Sequence, residues 1–219
     1  MRAAKPTRAE LLARRESTLV AGGPTKADLW VSRLRDGTRV VVKEFADKPW
    51  PLRLWCRVQI SREIRILERL TGLPHVPRLI GRLGRDGFVM SHFAGTPLNE
   101  VEDRPGRQQV IARLSDAIER IHASDVVHLD LRARDNVACE ESGDVLIFDW
   151  AAALHLPPGS WRHRLLFALL CVIDRSALLK WKLKLAPESV SATERAFQRR
   201  FLVWRRLWPL NRKGLGQIR

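Results

Sequence analysis

Lys43 lies within the run Val40, Val41, Val42, Lys43, Glu44, Phe45, and a strand's alternation puts its ammonium on the same face as Val41 and Phe45. A charge on an apolar strand face carries a heavy desolvation cost unless an opposite charge meets it. The next long apolar pattern is helical. Over residues 57–70 the spacing sets Ile60, Glu63, Ile64 and Leu67 on one stripe, so a carboxylate also points at the core. The two buried charges explain each other. Any fold for this chain must therefore lay that helix against that strand with Lys43 and Glu63 in contact; Glu68, the other carboxylate, falls off the stripe.

Around this pair the chain reads as strand, turn, strand. Residues 17–21, 27–35 and 38–45 are β-rich, and Asp36-Gly37 between the last two is a hairpin signal. Residues 76–84 and 87–95, parted by Arg85 and Asp86, add two strands and complete a five-stranded sheet. Thr7 and Glu10 form a capping box, which predicts a short helix ahead of the first strand. The turn Gly22, Gly23, Pro24, Thr25, Lys26 offers backbone N–H groups, a hydroxyl and an ammonium suited to phosphate, although such a turn can also be only a turn. After Gly95 a helix carries Val110, Leu114, Ala117, Ile118 and Ile121 on one stripe, ending at His122 and Ala123.

Residues 126–149 hold the densest chemistry. Val126 and Val127 lead into His128, Leu129 and Asp130, and a polar loop follows with Asp135 and Asn136. Two apolar runs, 137–139 and 145–148, flank the turn formers Glu140, Glu141, Ser142, Gly143 and Asp144. That hairpin returns Asp149 towards Asp135 and Asn136, which gathers oxygen donors of the kind a hard cation prefers.

H-L-D, an asparagine six residues on, and then I-F-D-W resemble the catalytic loop and metal-binding segment of the protein-kinase-like superfamily. The likeness spans about residues 17–153 and is similar to the bacterial lipopolysaccharide (Kdo/heptose) kinase and RIO kinase groups, with G-G-P-T-K-A-D-L-W matching the RIO phosphate loop. It implies an α+β, two-lobed fold: a nucleotide-binding small lobe over residues 1–93 with an N-terminal helix and five strands, and a reduced helical catalytic lobe over 94–219. It further implies ATP and Mg2+ as cofactors and transfer of the γ-phosphoryl to a hydroxyl. Asp130 would orient that hydroxyl, and Lys43 with Glu63 would fix the α- and β-phosphates. Asp149 would hold metal with Asp135 or Asn136, because a count of five from Asp130 lands on Asp135. The nucleotide would lie among Gly22, Gly23, Thr25, Lys26, Val41 and Lys43, with Met90 behind a hinge of Ser91, His92 and Phe93. Trp150 and Ala151 replace the usual Phe-Gly, and Leu129 stands where an arginine would read a phosphorylated loop. His128 braces the loop in this reading.

The acceptor implied is a lipopolysaccharide core sugar or a similar anionic envelope molecule, since no A-P-E peptide platform follows Asp149. A RIO-like serine/threonine kinase and a nucleotide-binding pseudokinase are the alternatives. Net charge of +15 attracts polyanions, and fourteen of the 39 Lys and Arg lie from Arg162 onward against Asp174, Glu188 and Glu194. Ser191 and Glu194 cap a last helix with Phe197, Phe201, Trp204 and Trp208 on one stripe and Arg199, Arg200, Arg205 and Arg206 beside it. That helix either packs on the large lobe or docks on an anionic membrane surface. Nucleic acid binding rests on charge alone and leaves the Lys43 and Glu63 pair unexplained. Cys56, Cys139 and Cys171 form no C-x-x-C pair and read as small buried hydrophobes in a reducing setting. No apolar h-region follows the basic N-terminus, and the run 165–173 is too short to span a bilayer, so the expectation is a cytoplasmic protein, peripheral at most at the inner face of the membrane.

Overall fold

The computed structural model describes residues 6–23, 26–101 and 106–207, the side chains of 204–207 excepted. A five-stranded antiparallel sheet is built from β1 (Arg15–Val20), β2 (Asp28–Arg33), β3 (Arg39–Glu44), β4 (Leu79–Leu83) and β5 (Gly87–Ser91), in the order β1-β2-β3-β5-β4. Being central and covered on both faces, β3 is buried from Val40 onward. One face, with Val40 and Val42, packs with Trp30, Val89 and Leu11 of α1 (Arg8–Ala13). The other, with Val41 and Phe45, meets Ile60, Ile64 and Leu67 of α2 (Trp50–Arg69). Each face of β3 also buries one charge, and each charge has a partner. On the α1 face Glu44 accepts from Arg8 Nε at 2.7 Å and Trp30 Nε1 at 3.2 Å.

Both capping boxes form: Glu10 N donates to Thr7 Oγ1 and Thr7 N to Glu10 Oε2, while Ser191 and Glu194 do the same at α5 (Ala192–Leu207). The α2 helix starts seven residues before its expected first turn. Its opening turns, with Pro51 at an N-terminal position, leave Trp50, Leu54, Trp55 and Val58 in solvent, so no core-facing stripe marks them in the sequence.

The second half is mainly helical. Val110, Leu114, Ala117, Ile118 and Ile121 of α3 (Arg107–Ala123) are all buried and pack beside α4 (Ala168–Leu185). Short strands accompany them: β6 (Thr96–Pro97), ahead of α3, forms a small sheet with β8 (Val137–Cys139) and β9 (Val145–Ile147), and β7 (Val126–Val127) pairs with β10 (Leu154–His155). The β8–β9 turn closes through Glu140 N to Asp144 O at 2.9 Å, with Gly143 at φ 82°. One hydrophobic cluster runs from the α2 side of the sheet through Val126, Val137, Ile147 and Trp150 to Trp181, so the halves share a core. In α5, Phe201 is buried with the Arg132 guanidinium 5.9 Å from its ring centre, and Glu194 pairs with Lys182. The described part of α5 thus packs on the helical half; the side chains of Trp204, Arg205 and Arg206, and Trp208, lie outside the described residues. The three cysteines are buried, and none forms a disulfide. No described helix is long and apolar enough to cross a membrane.

Candidate active site

Lys43 Nζ donates to Glu63 Oε1 and to Asp149 Oδ1, each at 2.8 Å. Burial pushes the Lys43 ammonium down, but the charges of Glu63 and Asp149 and their hydrogen bonds outweigh it and hold its pKa above the ordinary lysine value. For Asp149, burial pushes the carboxyl up, and the Lys43 ammonium more than offsets this and holds it below the usual range. Glu63 Oε1 also accepts the Trp150 N–H at 3.2 Å, which fixes the residue after Asp149 against α2. Asp149 itself sits at φ 53°, a left-handed conformation costly for a residue with a Cβ, and these bonds hold it there.

The loop after β7 is held from below by an acid not singled out in the sequence. Asp174 of α4, almost fully buried, accepts the backbone N–H of His128 and of Leu129 at 2.8 Å each and the ring of His122 at 3.0 Å. Leu129 at φ 69° is thereby held in a second left-handed conformation. His128 is buried, which lowers its pKa, and lies edge-on to Trp150 with ring centres 4.7 Å apart. Its Nε2 faces the Phe148 carbonyl at 2.8 Å and its Nδ1 accepts the Asp130 N–H at 3.3 Å. The bonding assigns the neutral Nε2–H tautomer, a brace between the two acidic segments and not a base. Lys180 and Trp181 add bonds to the carbonyls of Arg132 and Leu131.

Asp130 is exposed, and its carboxylate accepts from Asn136 Nδ2 at 3.2 Å while its carbonyl accepts from the same nitrogen at 2.9 Å. Asn136 is buried and its carbonyl takes the Phe148 N–H, so it stands beside Asp149 at the head of the β8–β9 ladder. Asp135 is exposed and does not enter this network, which settles the neighbour of Asp130 as Asn136. Between them the loop closes a turn through Ala133 N to Asp130 O at 3.2 Å. A carboxylate and an amide oxygen beside it suit magnesium, which completes its shell with phosphate and water oxygens.

The remaining expected residues divide. Val41 and Met90 are register partners, both buried on the Lys43 face. Ser91 belongs to the sheet: its N–H and hydroxyl bond the Arg78 backbone, so the exit from β5 begins at His92. Phe93 packs edge-on against Phe148, centres 6.0 Å apart, and only a glycine fits at 95, where a Cβ would meet the Phe93 ring at 2.2 Å. The Gly22 N–H is already bonded to Asp28 Oδ1 at 2.8 Å, and Lys48, likewise unforeseen, ties Gly22 O to Asp28 Oδ2. Gly22 thus shapes the turn and does not offer a spare donor. The Gly23 and Lys26 backbones close the turn, the Lys26 side chain is exposed, and Thr25 lies outside the described residues.

No family model matches the chain. The probable SapB synthase of Streptomyces coelicolor is 31% identical over 150 residues, covering 56% of this chain and 16% of that protein. The human phosphorylase b kinase gamma catalytic chain, liver/testis isoform, is 25% identical over 112 residues (47% and 27%), and Drosophila melanogaster Aurora kinase B is 26% identical over 111 (45% and 33%). The chain spans a third or less of the length of these relatives. Two structures of the Rio2 kinase of Chaetomium thermophilum, one an ADP/Mg2+-phosphoaspartate complex, superpose with TM-scores of 0.60 and 0.62 at 16% and 15% identity. They cover 84% of this chain, which covers 61% and 63% of theirs. Identity this low speaks to architecture alone, and together with the sheet order and the Lys43, Glu63 and Asp149 geometry it shows that the chain has the protein-kinase-like fold, with Rio2 kinase among its structural neighbours.

Proposed function

We propose that this chain is an ATP- and Mg2+-dependent phosphotransferase that moves the γ-phosphoryl to a hydroxyl. The observation that carries the reading is the Lys43 ammonium held 2.8 Å from both Glu63 and Asp149, beside an exposed Asp130 braced by Asn136. Bound MgATP supplies the phosphoryl group, with magnesium neutralising charge on its oxygens. Asp149 and Asn136 are the residues that would hold the ion. Lys43, charged and pre-aimed by Glu63, faces the phosphates; Val41, Met90, His92 and Phe93 border the base. Asp130 orients the acceptor hydroxyl and accepts its proton, while the Asn136 amide keeps its carboxylate in place. In the expected division, Lys43, Glu63, Val41, Met90, His92 and Phe93 belong to residues 1–93, and Asp130, Asn136 and Asp149 to residues 94–219.

The acceptor we favour is a lipopolysaccharide core sugar or a similar anionic envelope molecule. Only the short 3-10 turn Trp150–Ala152, β10 and a brief loop separate Asp149 from the next helix, which leaves little chain for a peptide platform. The charge of +15 suits an anionic acceptor. A RIO-like protein kinase is the second reading, supported by the Rio2 neighbours. The setting proposed is cytoplasmic, with the basic segment around Arg199, Arg200, Arg205 and Arg206 touching an anionic membrane face. ATP consumption measured with lipopolysaccharide cores, protein substrates and RNA decides among them: turnover stimulated by the saccharide alone is expected, stimulation by protein alone selects the second reading, and magnesium-dependent nucleotide binding without turnover leaves a pseudokinase.

A further inference from the structure

Two stretches of the surface are apolar and basic and contain no acid. In the first thirteen residues of α2, 50–62, Trp50, Leu54, Trp55 and Val58 are each more than half exposed, among Arg53, Arg57 and Arg62. In residues 157–169, ahead of and entering α4, Trp161, Leu165 and Leu169 recur at helical spacing, 64%, 68% and 46% exposed, beside Arg162 and Arg164. Here the helix passes through a π segment, His163–Phe167. Its inner side is anchored: His163 stacks on Phe167 at 4.6 Å, Phe167 meets the His122 ring edge-on, and His163 Nε2 lies 3.4 Å from Asp125. The outer side therefore keeps its leucines and tryptophan in water without any role in the core.

The two stretches share one side of the molecule. Trp55, Val58, Arg62 and Arg69 fall on one stripe of α2 at heptad spacing. Arg62 bonds the carbonyls of Ala151 and Ala153, and Arg69 bonds Ser124 O and the same Asp125 that His163 approaches. The stripe that begins at exposed Trp55 thus ends against the support of the 161–169 helix. Asp86 pairs with Arg57 and lies 4.0 Å from Arg53, which still leaves the rim basic in sum, and large exposed apolar side chains with such a rim mark a docking face.

We propose that this face lies on an anionic lipid bilayer, with Trp55, Trp161 and Leu165 entering the interface and Arg53, Arg162 and Arg164 at the headgroups. Charge selects the occupant. A second copy brings the same +15 to a rim already basic, whereas an anionic headgroup layer complements it. Tryptophan at the edge of such a patch suits the headgroup depth. The inference rests on neither the phosphotransfer reading nor the basic segment at Arg199 to Arg206, whose four-arginine-to-glutamine variant serves as a separate control.

Sedimentation with phosphatidylcholine vesicles, with and without phosphatidylglycerol, tests it on the full chain. Wild type should pellet only with the anionic vesicles and less as salt rises, and Trp55→Gln/Trp161→Gln/Leu165→Gln should bind about ten-fold more weakly or worse at an unchanged melting temperature. Equal binding by wild type and variant, or no preference for anionic lipid, overturns the proposal. So does a dimer that the triple variant converts to monomer, which would make the face an interface between copies. Should the triple variant lose its melting transition, quenching by brominated phosphatidylglycerol gives the answer: Trp55→Phe/Trp161→Phe should remove most of the quenched fluorescence, and an unchanged quenched share overturns the placement.

Discussion

Replacing Asp174 with asparagine should cost about 3 kcal/mol of folding stability. The carboxylate is almost entirely buried and serves three donors, the His122 ring and two backbone N–H groups. Hydrogen bonds to a charged group contribute about 1.5 to 3 kcal/mol each, and a buried N–H left without an acceptor costs about 1 to 3. Asparagine keeps one acceptor oxygen. If that oxygen stays with His128 and His122, an NH2 group faces the Leu129 N–H, at the residue whose φ of 69° depends on the bond. The loss is thus one charge-assisted bond, one orphaned donor and a weakening of the other two, short of the full sum because the loop relaxes. Urea denaturation followed by far-UV circular dichroism measures it, with Asp116→Asn as control, whose partners Arg120 and His75 lie at the surface or near it. The control should shift stability by about 0.5 kcal/mol or less. A loss below about 1 kcal/mol for Asp174→Asn, or one no larger than the control's, would refute the account of how the loop is held.

Asn136→Ala should reduce turnover by two orders of magnitude or so, and Asp135→Ala should stay within about two-fold, because the buried Asn136 donates to both the carbonyl and the carboxylate of Asp130 while Asp135 is exposed; steady-state kinetics on the two variants separates them. Asp149→Ala should abolish magnesium-dependent nucleotide binding, read by calorimetry with and without the metal. Gly22→Ala should lower the melting temperature, since its Cβ would lie 2.3 Å from Ala27 O, while Gly23→Ala, with nothing within 4 Å, should leave it unchanged. Lys43 has a raised pKa, so its stabilising contribution is complete below the unfolded lysine value of about 10.4 and is lost only as pH rises through the higher folded value. Asp149 has a lowered one, so its share is present above about pH 3.9 and disappears as acid takes pH through the depressed folded value. In the folded wild-type chain neither group should accordingly titrate between these limits; an Asp149 carboxyl or Lys43 ammonium NMR signal that titrates near neutral pH would contradict it.

What the sequence discloses here depends on whether a residue breaks its own element's pattern. Lys43 and Glu63 do, a charge on an apolar strand face and another on an apolar helix stripe, and they are found together. Asp174 breaks the pattern equally, the single acid on the α4 face that carries Cys171, Ala177 and Trp181, and the same argument applied there would have located the support of the loop. Lys48 and Asp28 give no such signal, being polar residues in and beside a polar loop, and their closure of the Gly22 turn is visible only in three dimensions. The start of α2 escapes for the opposite reason: its apolar residues face water. The choice between Asp135 and Asn136 turns on a one-residue difference in loop path that spacing leaves open.

The most direct measurement is phosphoryl transfer from γ-labelled ATP by wild type and Asp130→Asn, at saturating magnesium and with each protein's affinity for ATP determined in parallel. The account predicts that transfer falls by at least about a hundred-fold while ATP affinity changes by less than about three-fold, since the proposed mechanism assigns Asp130 to the acceptor and the Lys43, Glu63 and Asp149 cluster to the nucleotide. Transfer by Asp130→Asn within a few-fold of wild type would contradict it.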